Sequence, residues 1–361
     1  MKLFVLLSVF FLFVHSDIYA QKVFPYLDNL EYLKSFHNGQ SYQIDYLRPV
    51  DVTYSEEVVA YIDNKNDFFI YDGVKKEKMT GMANGYQVGI NIVAWNTGPI
   101  VSIWDDGRKQ TITQFGRNYE VSDSLVVFED LRDNAIKVYY KDSIYDLYYS
   151  IGNLRFPEHI GSNSVGFTGN GDVQYAFIAG KIIEIGVIND EMNFEAGANL
   201  VAFNDPFHQS FAVAFSNEIL DVEPIMVNDY KAGYDLVAYR DRNLNLKGYI
   251  NHELVNLSSY SASFYDVFRD MIVWAENGMF YAFYGGRKYE LANYIPSEYK
   301  MRNGIVAFRN LNGGVSVFYN EKVEIVSNLT NAEFEVNGNT VKVKVNRGNY
   351  IFFQNGETYH I

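Results

Sequence analysis

Leu200-Val201-Ala202-Phe203, then the polar turn Asn204-Asp205, then Phe211-Ala212-Val213-Ala214-Phe215: this passage decides the fold, because it recurs. The apolar tetrad appears as Val58-Val59-Ala60-Tyr61, Ile92-Val93-Ala94-Trp95, Leu125-Val126-Val127-Phe128 and Ser164-Val165-Gly166-Phe167. After Leu200 it returns as Leu236-Val237-Ala238-Tyr239, Met271-Ile272-Val273-Trp274, Ile305-Val306-Ala307-Phe308 and a worn copy, Thr340-Val341-Lys342-Val343. The third positions are 60, 94, 127, 166, 202, 238, 273, 307 and 342, spaced by 34, 33, 39, 36, 36, 35, 34 and 35. Chance apolar tetrads do not keep phase in this way, so the chain is a repeat array.

Working outward, each tetrad is followed by the same events. A polar turn comes first, as in Asp63-Asn64 or Arg240-Asp241. A second strand then carries aromatic and aliphatic residues, as in Phe68-Phe69-Ile70-Tyr71 and Val315-Ser316-Val317-Phe318-Tyr319. Asp72-Gly73, Asp106-Gly107 and Asn355-Gly356 supply the positive φ angles of a tight hairpin turn. A third strand follows, such as Arg287-Lys288-Tyr289-Glu290-Leu291. Before the next tetrad stands an aromatic, then small or apolar residues, then Gly, Asn or Asp, as in Tyr230-Lys231-Ala232-Gly233. It reads as a short fourth strand or a connecting corner.

Three or four antiparallel strands in about 35 residues, repeated radially, make an all-β propeller, whose strand edges are short and protected. A linear solenoid is the alternative, but these strands pair as hairpins and not as stacked rungs. The expected count is about eight blades, within a range of seven to nine. Phe36 to Ile44 resembles the second and third strands of a further unit without its first, so ring closure is expected to mix strands from both termini. Asp28 to His37 is the best helix candidate. No linker or composition shift interrupts the chain, which reads as a single domain over 22–361.

The first twenty residues are a separate object. Met1-Lys2 is a positive start, Leu3 to Val14 is apolar apart from Ser8, and the segment ends on Ala20. These are the parts of a secretory signal peptide over residues 1–20, too short for the roughly 20 apolar residues of a membrane span. The expectation is a periplasmic protein that begins near Gln21. Cysteine is absent, which removes disulfides, thiolate metal sites and cysteine nucleophiles. Thirty Lys and Arg against 44 Asp and Glu leave a net charge of −14, which argues against nucleic-acid binding.

A search for chemistry finds mostly turns. Asp63, Asp130, Asp205, Asp241 and Glu276 fall at one phase of several repeats, where Asp caps backbone amides. His37, His159, His208, His252 and His360 form no metal-ligand spacing. Asp63 to Asp67 resembles a calcium loop but places Lys65 within it and lacks the turn glycine. No nucleophile elbow, phosphate loop or dinucleotide fingerprint occurs. The expectation is no catalytic residue, no cofactor and no metal. Tyr and Phe total 57, and those at the repeat phase are core. Two other clusters, Tyr145/Tyr148/Tyr149 and Tyr260/Phe264/Tyr265/Phe268, are the candidates for an interface, with Tyr148 and Tyr265 singled out.

The pattern Ile-Val-Ala-aromatic, turn, alternating strand, Asp/Asn-Gly, Lys-rich strand is similar to that of exported β-propellers of Bacteroidota bacteria. It covers nearly the whole mature chain. Size and leader also resemble the plug proteins of the type IX secretion translocon. The resemblance implies a non-catalytic periplasmic protein whose partner is a cell-envelope complex, such as an outer-membrane secretion translocon. The alternatives are a carbohydrate-binding propeller and an enzyme with an unrecognised site.

Overall fold

All four residues of a tetrad such as Leu200–Phe203 are buried, although alternate side chains of a strand point to opposite faces. That is possible only if the sheet is covered on both sides, and here each sheet stands between two others. The computed structural model describes residues 22–187 and 192–361; the expected leader over 1–20 lies outside the described residues. Blade 2 shows the plan: an inner strand Asp51–Tyr54, the tetrad strand Val59–Ile62, a third strand Phe68–Tyr71 and an outer strand Lys76–Thr80, paired in that order. All pairs are antiparallel.

The plan repeats in blades over 85–113, 116–149, 159–187, 194–223, 299–327 and 334–360. Blades 7 and 8 share one 16-residue strand, Glu253–Phe268, which is the outer strand of the first and the inner strand of the second. A register shift recurs where the third strand meets the outer one, as between Phe68 and Phe69 or Phe211 and Ala212. Such bulges sharpen the local twist of each blade.

The first blade holds three described strands, Pro25–Leu27, Leu33–His37 and Gln40–Asp45. The ring therefore has ten blades, not the expected eight. Val23-Phe24-Pro25-Tyr26 is a tenth tetrad, and its Pro25 stands 35 residues before Ala60. Proline disguises it. Proline cannot donate a ladder hydrogen bond, and Pro25 lies on the edge that carries no inner strand among the described residues. The expected helix at Asp28 to His37 is also corrected. Asp28 Oδ1 accepts hydrogen bonds from the amides of Leu30 (2.9 Å) and Tyr32 (3.0 Å), so this is a capped turn leading into a strand.

Closure does not mix termini, since no described sheet combines strands from the two ends. The last blade, with Phe334–Asn337, Thr340–Asn346, Asn349–Gln354 and Glu357–His360, is complete. Side chains close the ring instead. Phe352 stacks on Phe36 with centroids 4.1 Å apart and meets Phe24 and Tyr26 edge-on. Tyr54 of blade 2 bonds Glu335 of blade 10, passing over the place where blade 1 shows no inner strand among the described residues. Asn337 Nδ2 donates to the carbonyls of Val23 (2.9 Å) and Ser55 (2.8 Å). The worn tetrad has its reason here: Lys342 replaces the usual small residue and reaches the Pro25 carbonyl at 3.2 Å and Glu335 at 3.0 Å.

Candidate functional site

The inner strands surround the axis. Tyr54, Val88, Val121, Ile160, Phe268, Arg302 and Val336, one from each of seven blades, line a single cavity of about 480 Å³. Three registers run round these strands, the apolar one standing opposite the second tetrad residue at Val88, Val121, Ile160 and Val336. Opposite the fourth tetrad residue stand aromatics: Tyr86, Tyr119, Phe194, Tyr230, Tyr265, Tyr299 and Phe334. Opposite the third stand polar residues such as Gln87, Glu120, Glu195, Lys231, Asp266, Lys300 and Glu335. Many of these reach the next blade: Gln87 Nε2 donates to Tyr119 O at 3.2 Å, Lys231 Nζ meets Asp266 at 2.9 Å, and Lys300 Nζ donates to Phe334 O at 2.8 Å. Burial pushes the Glu120 and Glu195 carboxyls up; on Glu195 the Lys231 charge and the Ala232 amide oppose that rise.

Glycine follows several inner strands because blades nearly touch there. A Cβ on Gly233 would lie 2.0 Å from the Arg269 carbonyl, and one on Gly89 would lie 2.0 Å from that of Ser122. In place of side chains, backbone bonds link the turns: Ile90 N to Asp123 O (3.0 Å), Ala198 N to Gly233 O (2.9 Å) and Tyr234 N to Arg269 O (2.8 Å).

Charge collects at this mouth of the channel. Arg269 Nη1 lies 2.9 Å from Glu56 Oε1 and Nη2 donates to Glu56 Oε2 at 3.0 Å, while Nη1 also donates to Asn303 Oδ1 at 2.5 Å. Asp123 is 3.6 Å from Arg269 and accepts the Tyr234 hydroxyl at 2.5 Å. Burial works against the Arg269 charge, but Glu56, Asp123 and Tyr234 hold its guanidinium above the ordinary arginine value. Arg302 differs. Its guanidinium lies 3.9 Å from the Phe268 ring centroid, and Nη1 donates to Met301 O at 3.0 Å. Among the described residues no carboxylate oxygen lies within 4.0 Å of it. Burial, with Arg269 nearby, holds its pKa below the usual arginine value.

The two ends of the ring differ in their apolar surface. In an antiparallel meander the tetrad-to-third-strand turns and the outer-to-inner connections emerge at one end, opposite the channel mouth just described. Exposed large apolar residues in those loops are Leu30, Tyr46, Leu47, Val50, Met82, Phe115, Leu131, Ile151, Phe207, Met226, Leu244, Ile295, Leu311 and Leu329. Phe207 and Leu311 are 83% and 76% exposed. Loops at the mouth end contribute Val74 alone among the described residues. Single exposed apolar residues are ordinary; their concentration on one face is what marks an interaction surface.

Neither tyrosine singled out from the sequence belongs to that face. Tyr265 is 7% exposed, its hydroxyl donates to Asp229 at 3.1 Å, and Arg240 lies 5.6 Å from its ring centroid. It lies at the inner-strand phase, the register of Tyr230 and Tyr299, and so packs between blades. Tyr148 stacks on Phe167 at 6.2 Å and donates to Arg155 O at 2.5 Å, which ties down the loop after its strand. Its neighbour Tyr149 and, in the second cluster, Tyr260 are exposed.

Four of the repeat-phase acids, Asp63, Asp130, Asp205 and Asp241, cap turns, whereas Glu276 is buried and accepts the distant amides of Ser259 (2.8 Å) and Tyr260 (2.9 Å) beside Lys288. Asp63 Oδ1 accepts from the Lys65 and Asp67 amides at 2.8 Å each, and Asp241 Oδ1 from those of Asn243 (2.8 Å) and Asn245 (3.0 Å). Asp205 caps Phe207 and His208 and also binds the His208 ring at 2.7 Å, which raises the imidazole pKa. Among the described residues no three His, Asp or Glu side chains gather as metal ligands. The sequence signal for the channel arginines was available but unreadable: Arg302 ends its inner strand at the position where other repeats carry Gly89, Gly161, Gly197 and Gly233, and Arg269 holds the next position, where they carry such unlike residues as Glu56, Asp123 and Tyr234.

Ten radial sheets around a channel, with aromatic, polar and apolar registers on their inner strands, define a ten-bladed β-propeller. Residues 17–359 match the 10-bladed beta propeller domain family, and the chain belongs to that family. Among curated proteins none matches the chain by sequence. Solved structures with a similar fold include the computationally designed Ika8 protein, at 13% identity and TM-score 0.34 over 86% of this chain and 95% of that one. Hsv2 of Kluyvelomyces marxianus gives 14% and 0.32 over 65% and 91%, and Prp20p of Saccharomyces cerevisiae 8% and 0.33 over 55% and 70%. These likenesses are too distant to carry a functional argument. No helix among the described residues is long and apolar enough to cross a membrane.

Proposed function

We propose that this propeller is a non-catalytic binding protein that grips a partner protein of the cell envelope through its apolar loop face. The observation that carries the reading is the segregation of exposed loop apolar residues, with Phe207 and Leu311 at one end and, among the described residues, Val74 alone at the other. Interface cores favour aromatic and large apolar side chains, and a rigid ring presents such loops without ordering them on binding. The net charge of −14 favours encounter with a basic partner at low salt.

The finer reading rests on the leader and on the resemblance. It places the protein in the periplasm, bound to an outer-membrane secretion translocon of type IX and acting as its plug. A photo-crosslinking residue at Phe207 or Leu311, compared with one at Val74, tests the surface in native cells. Adducts to one common envelope protein from the first two positions, and none from Val74, are expected. Equal yields from Val74, or no adduct from either loop position at equal expression, refute the reading. The plug role further requires that loss of the chain admit large solutes through the outer membrane.

A further inference from the structure

We propose that the channel mouth, opposite the apolar loop face, is a binding site for a carboxylate, held by Arg302. The ion pairing at the mouth is unbalanced. Four charged side chains meet at the mouth, and among the described residues Arg302 is the one with no ion pair within 4.0 Å, although the Arg269 Nε is itself buried without a partner. Arg269 takes both oxygens of Glu56 and the Asn303 amide oxygen, and Asp123 takes the Tyr234 hydroxyl. Arg302 spends one donor on a backbone carbonyl and lays one face on Phe268.

A guanidinium carries five N–H donors in a planar fork. With Nη1 on Met301 O, the edge formed by Nε and Nη2 is left without a protein acceptor among the described residues. That edge matches two carboxylate oxygens side by side, and the bidentate pair is among the stronger hydrogen-bonded contacts a protein makes. Arg302 is half-buried, and burial outweighs the support that Glu56 and Asp123 give its charge from a distance, so a directly paired anion would relieve a real cost. It also has room for one. Arg302 borders both the 480 Å³ cavity at the mouth and a second of about 260 Å³ between blades 8, 9 and 10. Phe268 and Val336 line both and give the carboxylate's carbon stem an apolar wall. Glu56 does not fill the role, because Arg269 holds both of its oxygens.

The carboxylate could belong to a free small acid or to the C-terminus of a peptide chain. Titration of the whole protein with succinate, and separately with acetyl-Ala-Ala as free acid and as amide, distinguishes them. Arg Nε–Hε resonances by NMR and calorimetry provide the readouts. Saturable binding of succinate, or of the free-acid peptide but not its amide, is expected, with the Arg302 Nε–Hε resonance shifted. Arg302→Met should weaken the affinity at least tenfold, and Arg302→Lys should lose less. Binding unchanged in Arg302→Met, or no saturable change at the Arg302 resonance with either probe, overturns the proposal. The wild-type resonance decides the matter even if the Met variant fails to fold.

Discussion

Replacing Phe352 with alanine should loosen the ring at the one place where no sheet and no covalent link closes it. Phe352 is fully buried, stacks on Phe36 at 4.1 Å, and is edge-on to Phe24 at 5.8 Å and Tyr26 at 5.5 Å. Truncating a buried phenylalanine costs about 3–5 kcal/mol, because the transfer free energy of the ring is lost and the hole relaxes only in part. The unfolding entropy near 2.1 cal/mol/K per residue gives about 0.7 kcal/mol/K for a body of roughly 340 residues. The melting temperature should therefore fall by about 4–7 °C if unfolding is cooperative. Scanning calorimetry measures the shift, and hydrogen exchange locates it. Protection should drop first in the strands at 25–45 and 334–360, on the two sides of the seam. A melting temperature within about 1 °C of wild type, or extra exchange spread evenly over all ten blades, would refute side-chain closure.

Three further outcomes follow from the same geometry. Gly233→Ala should unfold the protein or cut its soluble yield, since the new Cβ would lie 2.0 Å from the Arg269 carbonyl; denaturant titration with Gly81→Ala as control, where a Cβ meets only the Asp67 side chain at 3.6 Å, measures the difference. Asp63→Ala and Asp241→Ala should each cost on the order of 1 kcal/mol, because each frees two backbone amides, and denaturant midpoints that stay at the wild-type value would contradict the capping role. Burial pushes the Asp229 carboxyl up, but the hydrogen bonds and charge of Arg240, with the Tyr265 hydroxyl, outweigh it and leave the folded-state pKa low. The stability it adds is then fully present above its unfolded pKa of about 3.9 and is lost as pH falls through the lower folded value. The gap in melting temperature between wild type and Asp229→Asn should hold from pH 7 to about 5 and close in stronger acid.

The inner strands show where sequence legibility stopped. Tyr265 looked off-phase and therefore free for a partner, because its strand runs on from the preceding blade without a break between Glu253 and Phe268. The missing turn hid the fact that Tyr265 stands in the same register as Tyr230 and Tyr299. The first blade was hidden in the same way by Pro25, although Asp28 caps its turn 35 residues before Asp63 caps the next. The loop apolar residues were individually visible, but nothing in a linear chain says that residues 30, 207 and 311 share one face.

The sequence by itself determined the repeat, its period of about 35 residues, its antiparallel hairpins and its turn chemistry. Each of those depends on contacts within a few residues, so local pattern suffices to read them. Only the tertiary structure decided the number of blades, the way the ring closes and the company that Arg302 keeps. Those depend on side chains brought together across the axis, such as Arg269 with Glu56 at 2.9 Å and 213 residues apart in the chain, and no local period encodes such distances.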